Sequence, residues 1–139
     1  MMPTGYLPHS HRSPLTDPWE PLFTREIGDA MQLALEIRAA HCNSRGFAHG
    51  GLISALADNA MGWSAMRQSR QARQRQSTEA AGAVTVALTV DFIDTAQVGD
   101  CIEFRPEVLK VGRTLAFVDC RVVCGARLIA RASASFRML

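Results

Sequence analysis

From Met31 the chain alternates: Met31, Leu33, Leu35 and Ile37 fall on one side, with Gln32, Ala34, Glu36 and Arg38 on the other. A period of two predicts a strand with one buried face. The period then changes. From Gly50 to Met66 or slightly beyond, Gly51, Ala55, Asp58, Gly62 and Ala65 form a narrow stripe of small residues around one acid. Leu52, Ile53, Leu56, Ala60 and Trp63 supply bulk on the other faces, as in a helix that is apolar nearly all round and largely buried. Alternation returns with Val84, Val86, Leu88 and Val90 against Thr85, Ala87, Thr89 and Asp91. Gly99-Asp100, Gly112-Arg113 and Gly125 then mark turns between strands at Cys101–Val111, Thr114–Cys124 and Arg127–Phe136.

The predicted order is a strand, one long helix, and a meander of about four strands. Short turns between consecutive strands imply an antiparallel sheet, and a lone apolar helix is satisfied if that sheet curls round it. The class is α+β. The sheet's other face and edge are left open to a second copy.

Residues 1–18, with three prolines before Pro18 and few large apolar groups, are expected to form a flexible arm. Trp19 to Phe23 would dock that arm on a single domain spanning 19–139. Between the helix and the next strand, Arg67, Arg70, Arg73 and Arg75 alternate with Gln and Ser. That run reads as a solvated helix end or as a patch that steers phosphates.

Composition narrows the function classes. The 139 residues carry a net charge of +2, too small to make nucleic acid or a membrane surface the main partner. Apolar runs fall short of the ~18 residues that span a bilayer, and the N-terminal stretch lacks the apolar core of a signal peptide. The cysteines Cys42, Cys101, Cys120 and Cys124 form no CxxC pair, so reduced thiols in a cytoplasmic protein are expected. His41, Cys42 and His49 have a spacing that matches no closed zinc site, and no metal is expected.

Candidate chemistry concentrates in Asn43–Asp58: a polar loop, a Gly50-Gly51 hinge and the start of the helix. Glycines let the backbone approach closely, and the free N–H donors of a helix start suit an oxygen gaining negative charge. Asp58 sits between Ala57 and the Ala60-Met61 pair, where a carboxylate is costly without a partner or a task. An electrophile-holding backbone and a misplaced acid point to acyl transfer.

The run Asn43…Gly46…His49-Gly50-Gly51…Asp58, followed by Val84-Thr85-Val86, Gly99-Asp100 and Gly112-Arg113-Thr114, resembles the hotdog-fold acyl-CoA thioesterases. Within these it looks nearest to the phenylacetic acid degradation subgroup, and the likeness covers roughly 28–137. The resemblance implies a homodimer or dimer of dimers that hydrolyses acyl-CoA with no cofactor. It implies Asp58 as nucleophile or general base and the Gly50 amide as donor to the thioester carbonyl. Asn43 would help place the carbonyl or water, His49 would orient the loop, and Thr85 would position water beside the acid. Gly51 and Arg113 are expected to contact substrate. The chain departs from the subgroup in its arginine-glutamine stretch at 67–76 and in Asp94-Thr95, where a Pro-containing turn is frequent.

Along a helix Gly50 and Asp58 lie ~12 Å apart, whereas a reacting carbonyl needs both within ~3.5 Å. Two antiparallel copies can supply this, with Gly50 of one facing Asp58 of the other. Two other readings are open on the same fold. A non-catalytic acyl-CoA binding module gains nothing from a carboxylate near the carbonyl. A hydratase pairs its acid with a histidine, which this helix lacks beyond its first edge.

Overall fold

A computed structural model of the chain describes residues 2–73 and 82–139, with the side chain of Arg73 left aside. Its strands are β1 (Leu7–Pro8), β2 (Phe23–Ile27), β3 (Ala30–Glu36), β4 (Ala83–Phe92), β5 (Cys101–Val111), β6 (Leu115–Cys124) and β7 (Arg127–Met138). One α-helix, α1 (Gly50–Arg73), has 24 residues and is therefore about 36 Å long. All pairings are antiparallel, and the seven strands lie in the order β1-β2-β3-β5-β6-β7-β4. This is the single helix against a curled antiparallel sheet that the hotdog resemblance implies.

The core follows the alternation. Leu33, Leu35 and Ile37 turn under α1 and join Leu52, Leu56, Met61, Phe104, Val118 and Phe136 in one buried cluster. Ser64, also buried, pins β3 to α1. Its Oγ accepts from Met31 N at 2.9 Å and donates to the Ala60 carbonyl at 2.8 Å. Two hairpins turn on glycines in the left-handed region, Gly28 (φ 57°) and Gly125 (φ 59°).

Three expectations need correction. The meander holds only for β5-β6-β7. β4 crosses to the far edge and pairs with β7, so that it flanks the sheet without pairing to β5. Second, the turn at Gly28 creates β2, which pairs with β3 over Phe23–Ile27 where a docking element at Trp19–Phe23 was expected. Third, the expected flexible arm is laid against the body. β1 pairs with β2, and Tyr6 is buried with its hydroxyl donating to Glu103 Oε2 at 2.9 Å. Buried Glu103 also receives Arg25 at 3.1 Å and Arg105 at 2.8 Å, and the Arg25 guanidinium stacks 4.4 Å from the Tyr6 ring centre. Such partners satisfy a buried carboxylate and hold the arm to β5, which its proline content did not reveal.

Candidate active site

The polar loop before α1 is built by its own side chains. Asn43 Oδ1 accepts from the amides of Arg45 (2.9 Å) and Phe47 (3.2 Å), and Asn43 N donates to the Phe47 carbonyl at 2.8 Å. The Asn43 oxygen is therefore committed to turning the loop. The loop is docked through Ala48 N, which donates to the Ala96 carbonyl at 2.8 Å, and through His49 N, which donates to the His41 carbonyl at 2.9 Å.

His41 supports this loop from beneath. It is 1% exposed; its Nδ1 accepts from Arg38 N at 2.9 Å and its Nε2 faces the Trp19 carbonyl at 2.9 Å. With one ring nitrogen accepting, the other must carry the proton. Burial lowers its pKa, against an opposing contribution from the Trp19 bond. Sequence reasoning weighed this residue only as a metal ligand; its distance from the glycine pair in sequence hid its role as a loop support.

At the helix start, Ile53 N donates to the His49 carbonyl at 3.1 Å, which makes His49 the capping residue and Gly50 the first helical position. The Gly51 amide donates to His49 Nδ1 at 2.8 Å. That bond occupies the Gly51 donor within the protein, so its expected contact with substrate cannot run through this amide. Among the described residues the Gly50 amide enters no hydrogen bond. Gly50 lies against the ring of Phe92, whose Cζ is 3.1 Å from where a Gly50 Cβ would stand. Phe92 was not among the candidate residues. Its apolar side chain at a strand end carries no signal in sequence.

Two turns further along α1, Asp58 is half-buried and its Oδ1 accepts from Thr85 Oγ1 at 2.8 Å. Strict alternation would not allow this contact, because it groups Thr85 with Ala87, Thr89 and Asp91 on the outer face. The register shows how it arises. Thr85 pairs with Phe136, and Leu88, Val90 and Phe92 pair with Ala134, Ala132 and Ala130, all inward-facing, but a shift falls between Thr85 and Ala87. The extra residue, Val86, is a bulge that reverses the parity and turns Thr85 toward the helix.

The two halves of the candidate site thus lie at opposite ends of β4: Thr85 meets Asp58, and Phe92 meets Gly50. Arg113 is exposed in the β5-β6 turn, at the Thr85 end of the sheet, since Leu115 and Val84 both pair with Arg137. Of the arginine run, Arg67 holds Glu26 at 3.0 Å and Arg70 borders a recess with Trp63 and His11. Arg75 lies outside the described residues. No helix among them is long and apolar enough to cross a membrane.

The profile of the thioesterase superfamily matches residues 45–130, and the chain belongs to that family. It is 41% identical to the Pseudomonas aeruginosa protein PA0474, named as a candidate esterase, over 99% of this chain and 97% of that one. Human acyl-coenzyme A thioesterase 13 is 30% identical over 70% of this chain and 64% of its own length. The fold is also that of a point mutant of the phenylacetic acid degradation protein PaaI from Thermus thermophilus. That match has a TM-score of 0.76 and 23% identity, covering 91% of this chain and 100% of the other.

Proposed function

We propose that the protein is an acyl-CoA thioesterase that hydrolyses an aryl- or short- to medium-chain acyl-CoA to the free acid and coenzyme A. The observation that carries this is the Thr85–Asp58 hydrogen bond in a family of thioester hydrolases. The name of the human relative supports coenzyme A as the carrier.

Thr85 commits its proton to Asp58 Oδ1, so its oxygen lone pairs face outward and can receive a water molecule. Asp58 Oδ2 takes that water's proton as the water adds to the thioester carbon. In the covalent variant of the same step, Asp58 attacks the carbon itself and water later cleaves the anhydride. The Gly50 amide at the head of the helix dipole stabilises the oxyanion. The thiolate of coenzyme A then departs without needing a strong acid.

The site takes its two halves from two copies. The outer edge of β4 pairs with no strand among the described residues, and its Val84 and Val86 are exposed. Pairing two such edges about a two-fold axis between Leu88 and Thr89 sets Thr85 of one copy opposite Phe92 of the other. Asp58 of one then approaches Gly50 of its partner, which the ~12 Å along one helix forbids within a chain.

The test is free-thiol release from a panel of acyl-CoAs by the parent and by Asp58→Asn. The amide keeps the volume and removes the basicity, so turnover should fall by ~10²–10⁴ with assembly unchanged. Turnover within a few-fold of the parent on every substrate would refute the assignment.

A further inference from the structure

The segment that joins β4 to β5, residues 93–100, is drawn together by one guanidinium. Arg127 opens β7, just after the Gly125 turn, and its Nη1 donates to Asp94 Oδ2 at 3.1 Å and to the Thr95 carbonyl at 2.8 Å. Its Nη2 donates to Asp100 Oδ2, at the far end of the same segment, at 3.4 Å. The two carboxylates it joins also shape the backbone. Asp94 Oδ1 accepts from Thr95 N at 2.8 Å, and Asp100 Oδ2 accepts from Gln97 N at 2.9 Å. The Thr95 amide, and after it Arg127, hold the Asp94 carboxyl below its ordinary range, so this pair is charged at neutral pH. The clamp gives a task to Asp94-Thr95, the pair by which the sequence departs from the phenylacetic acid degradation subgroup.

This segment is the seat of the loop that leads into α1. The carbonyl of buried Ala96 accepts from Ala48 N at 2.8 Å, and Gln97 bridges to Phe47. Phe92, the residue before the segment, lies against Gly50. Phe47, Ala48 and the first helical residue therefore all rest on the stretch 92–97. The loop's attachment through His49 N to the His41 carbonyl does not involve this stretch. A guanidinium suits the task because its planar fork holds fixed directions to three acceptors at once, which a single ammonium does not. Without it, Asp94 and Asp100 remain as two like charges on one short segment and push it open.

We propose that Arg127 is a positioning residue for the oxyanion donor: by clamping Asp94, Thr95 and Asp100 it fixes the Ala96 carbonyl, and through Ala48 the direction of the Gly50 amide. The inference rests on the thioesterase reading and adds to it a residue far from Gly50 in sequence. The contacts of Arg127 are exposed, and exposed ion pairs add little to global stability. The clamp acts instead on local geometry, where a displacement of about 1 Å is worth ~10² in rate.

The experiment compares Arg127→Met and Arg127→Lys with the parent by acyl-CoA hydrolysis, thermal melting and amide hydrogen exchange on the full chain. Arg127→Met should lower kcat by roughly 10-fold while KM moves less than about 2-fold. Its melting temperature should stay close to the parent's. Exchange at the Ala48 amide should rise about 10-fold, while the Met31 amide, bonded to Ser64 in the core, keeps the parent rate. Arg127→Lys should recover part of both effects. In a Gly50→Pro background, Arg127→Met should cost no further kcat, a result that a merely structural role does not produce. Asp94→Asn keeps an acceptor for Thr95 N and weakens only the Arg127 contact. It should show the same pattern at smaller size, and it decides the matter if Arg127→Met melts early. Unchanged Ala48 exchange overturns the clamp. Raised exchange with kcat unchanged, or full additivity with Gly50→Pro, overturns its link to the oxyanion donor. A parent inactive on every acyl-CoA overturns both readings, and raised Ala48 exchange then marks the failure as one of the chemistry and not of the clamp.

Discussion

Thr85 reaches Asp58, at 2.8 Å between Oγ1 and Oδ1, only because Val86 bulges out of the β4–β7 ladder. Local backbone irregularity, rather than side-chain alternation, aims the hydroxyl.

Thr85→Val keeps the branched shape and removes the hydroxyl, so turnover should fall by ~10–10², the scale of a hydrogen bond to a charged group. Thr85→Ser should stay within a few-fold of the parent. Deleting Val86 restores regular pairing and turns Thr85 outward, so it should cost as much as Thr85→Val. The two changes combined should then cost no more than one. Full additivity in kcat would count against the bulge as the aiming device.

Gly50→Pro removes the one donor proposed for the oxyanion while occupying the first helical position, where proline is tolerated. Turnover should drop by ~10²–10³, as for the loss of one such donor. The Phe92 ring, 3.1 Å from a Cβ at this position, has to shift slightly and is exposed enough to do so. A thermal melt therefore separates loss of the donor from loss of the fold, and an active, folded Gly50→Pro would exclude this amide.

Co-expression of Asp58→Asn with Gly50→Pro should recover activity that neither variant shows alone, since each mixed dimer holds one site with both groups intact. Purified mixed dimers carrying two different tags provide the measurement. No recovery in them would place both groups in one chain and end the shared-site arrangement.

His41 predicts a pH dependence of stability. Burial lowers its native pKa, so the unfolded chain takes up the proton first as pH falls through the ordinary value of about 6.5. Its contribution is complete above that value and is lost as pH drops from there toward the lowered native one. His11 shifts in the same direction, chiefly through burial, so its contribution has to be removed in parallel. In a His11→Gln background the melting temperature should fall between about pH 7.5 and about pH 5.5, and His41→Asn should flatten that fall at a lower plateau. An unchanged slope in His41→Asn would assign the effect elsewhere.

The sequence by itself determined the elements that alternation or a glycine turn can encode. The inward set Met31, Leu33, Leu35 and Ile37, the helix from Gly50, and the hairpins at Gly112 and Gly125 are all local, and local periodicity records them. It also brought Asn43, His49, Gly50 and Asp58 forward as one group, because they lie within one short stretch. Tertiary structure decided the rest. That β4 pairs with β7 depends on where a chain returns after a 24-residue helix, which no short-range pattern specifies. The bulge at Val86 interrupts a run of perfect alternation and leaves no mark in it. Phe92 against Gly50, and Tyr6 against Glu103, join residues 42 and 97 positions apart, and such contacts exist only once the sheet has closed round the helix. Periodicity reports which face of an element is buried; it does not report which residue of another element will lie there.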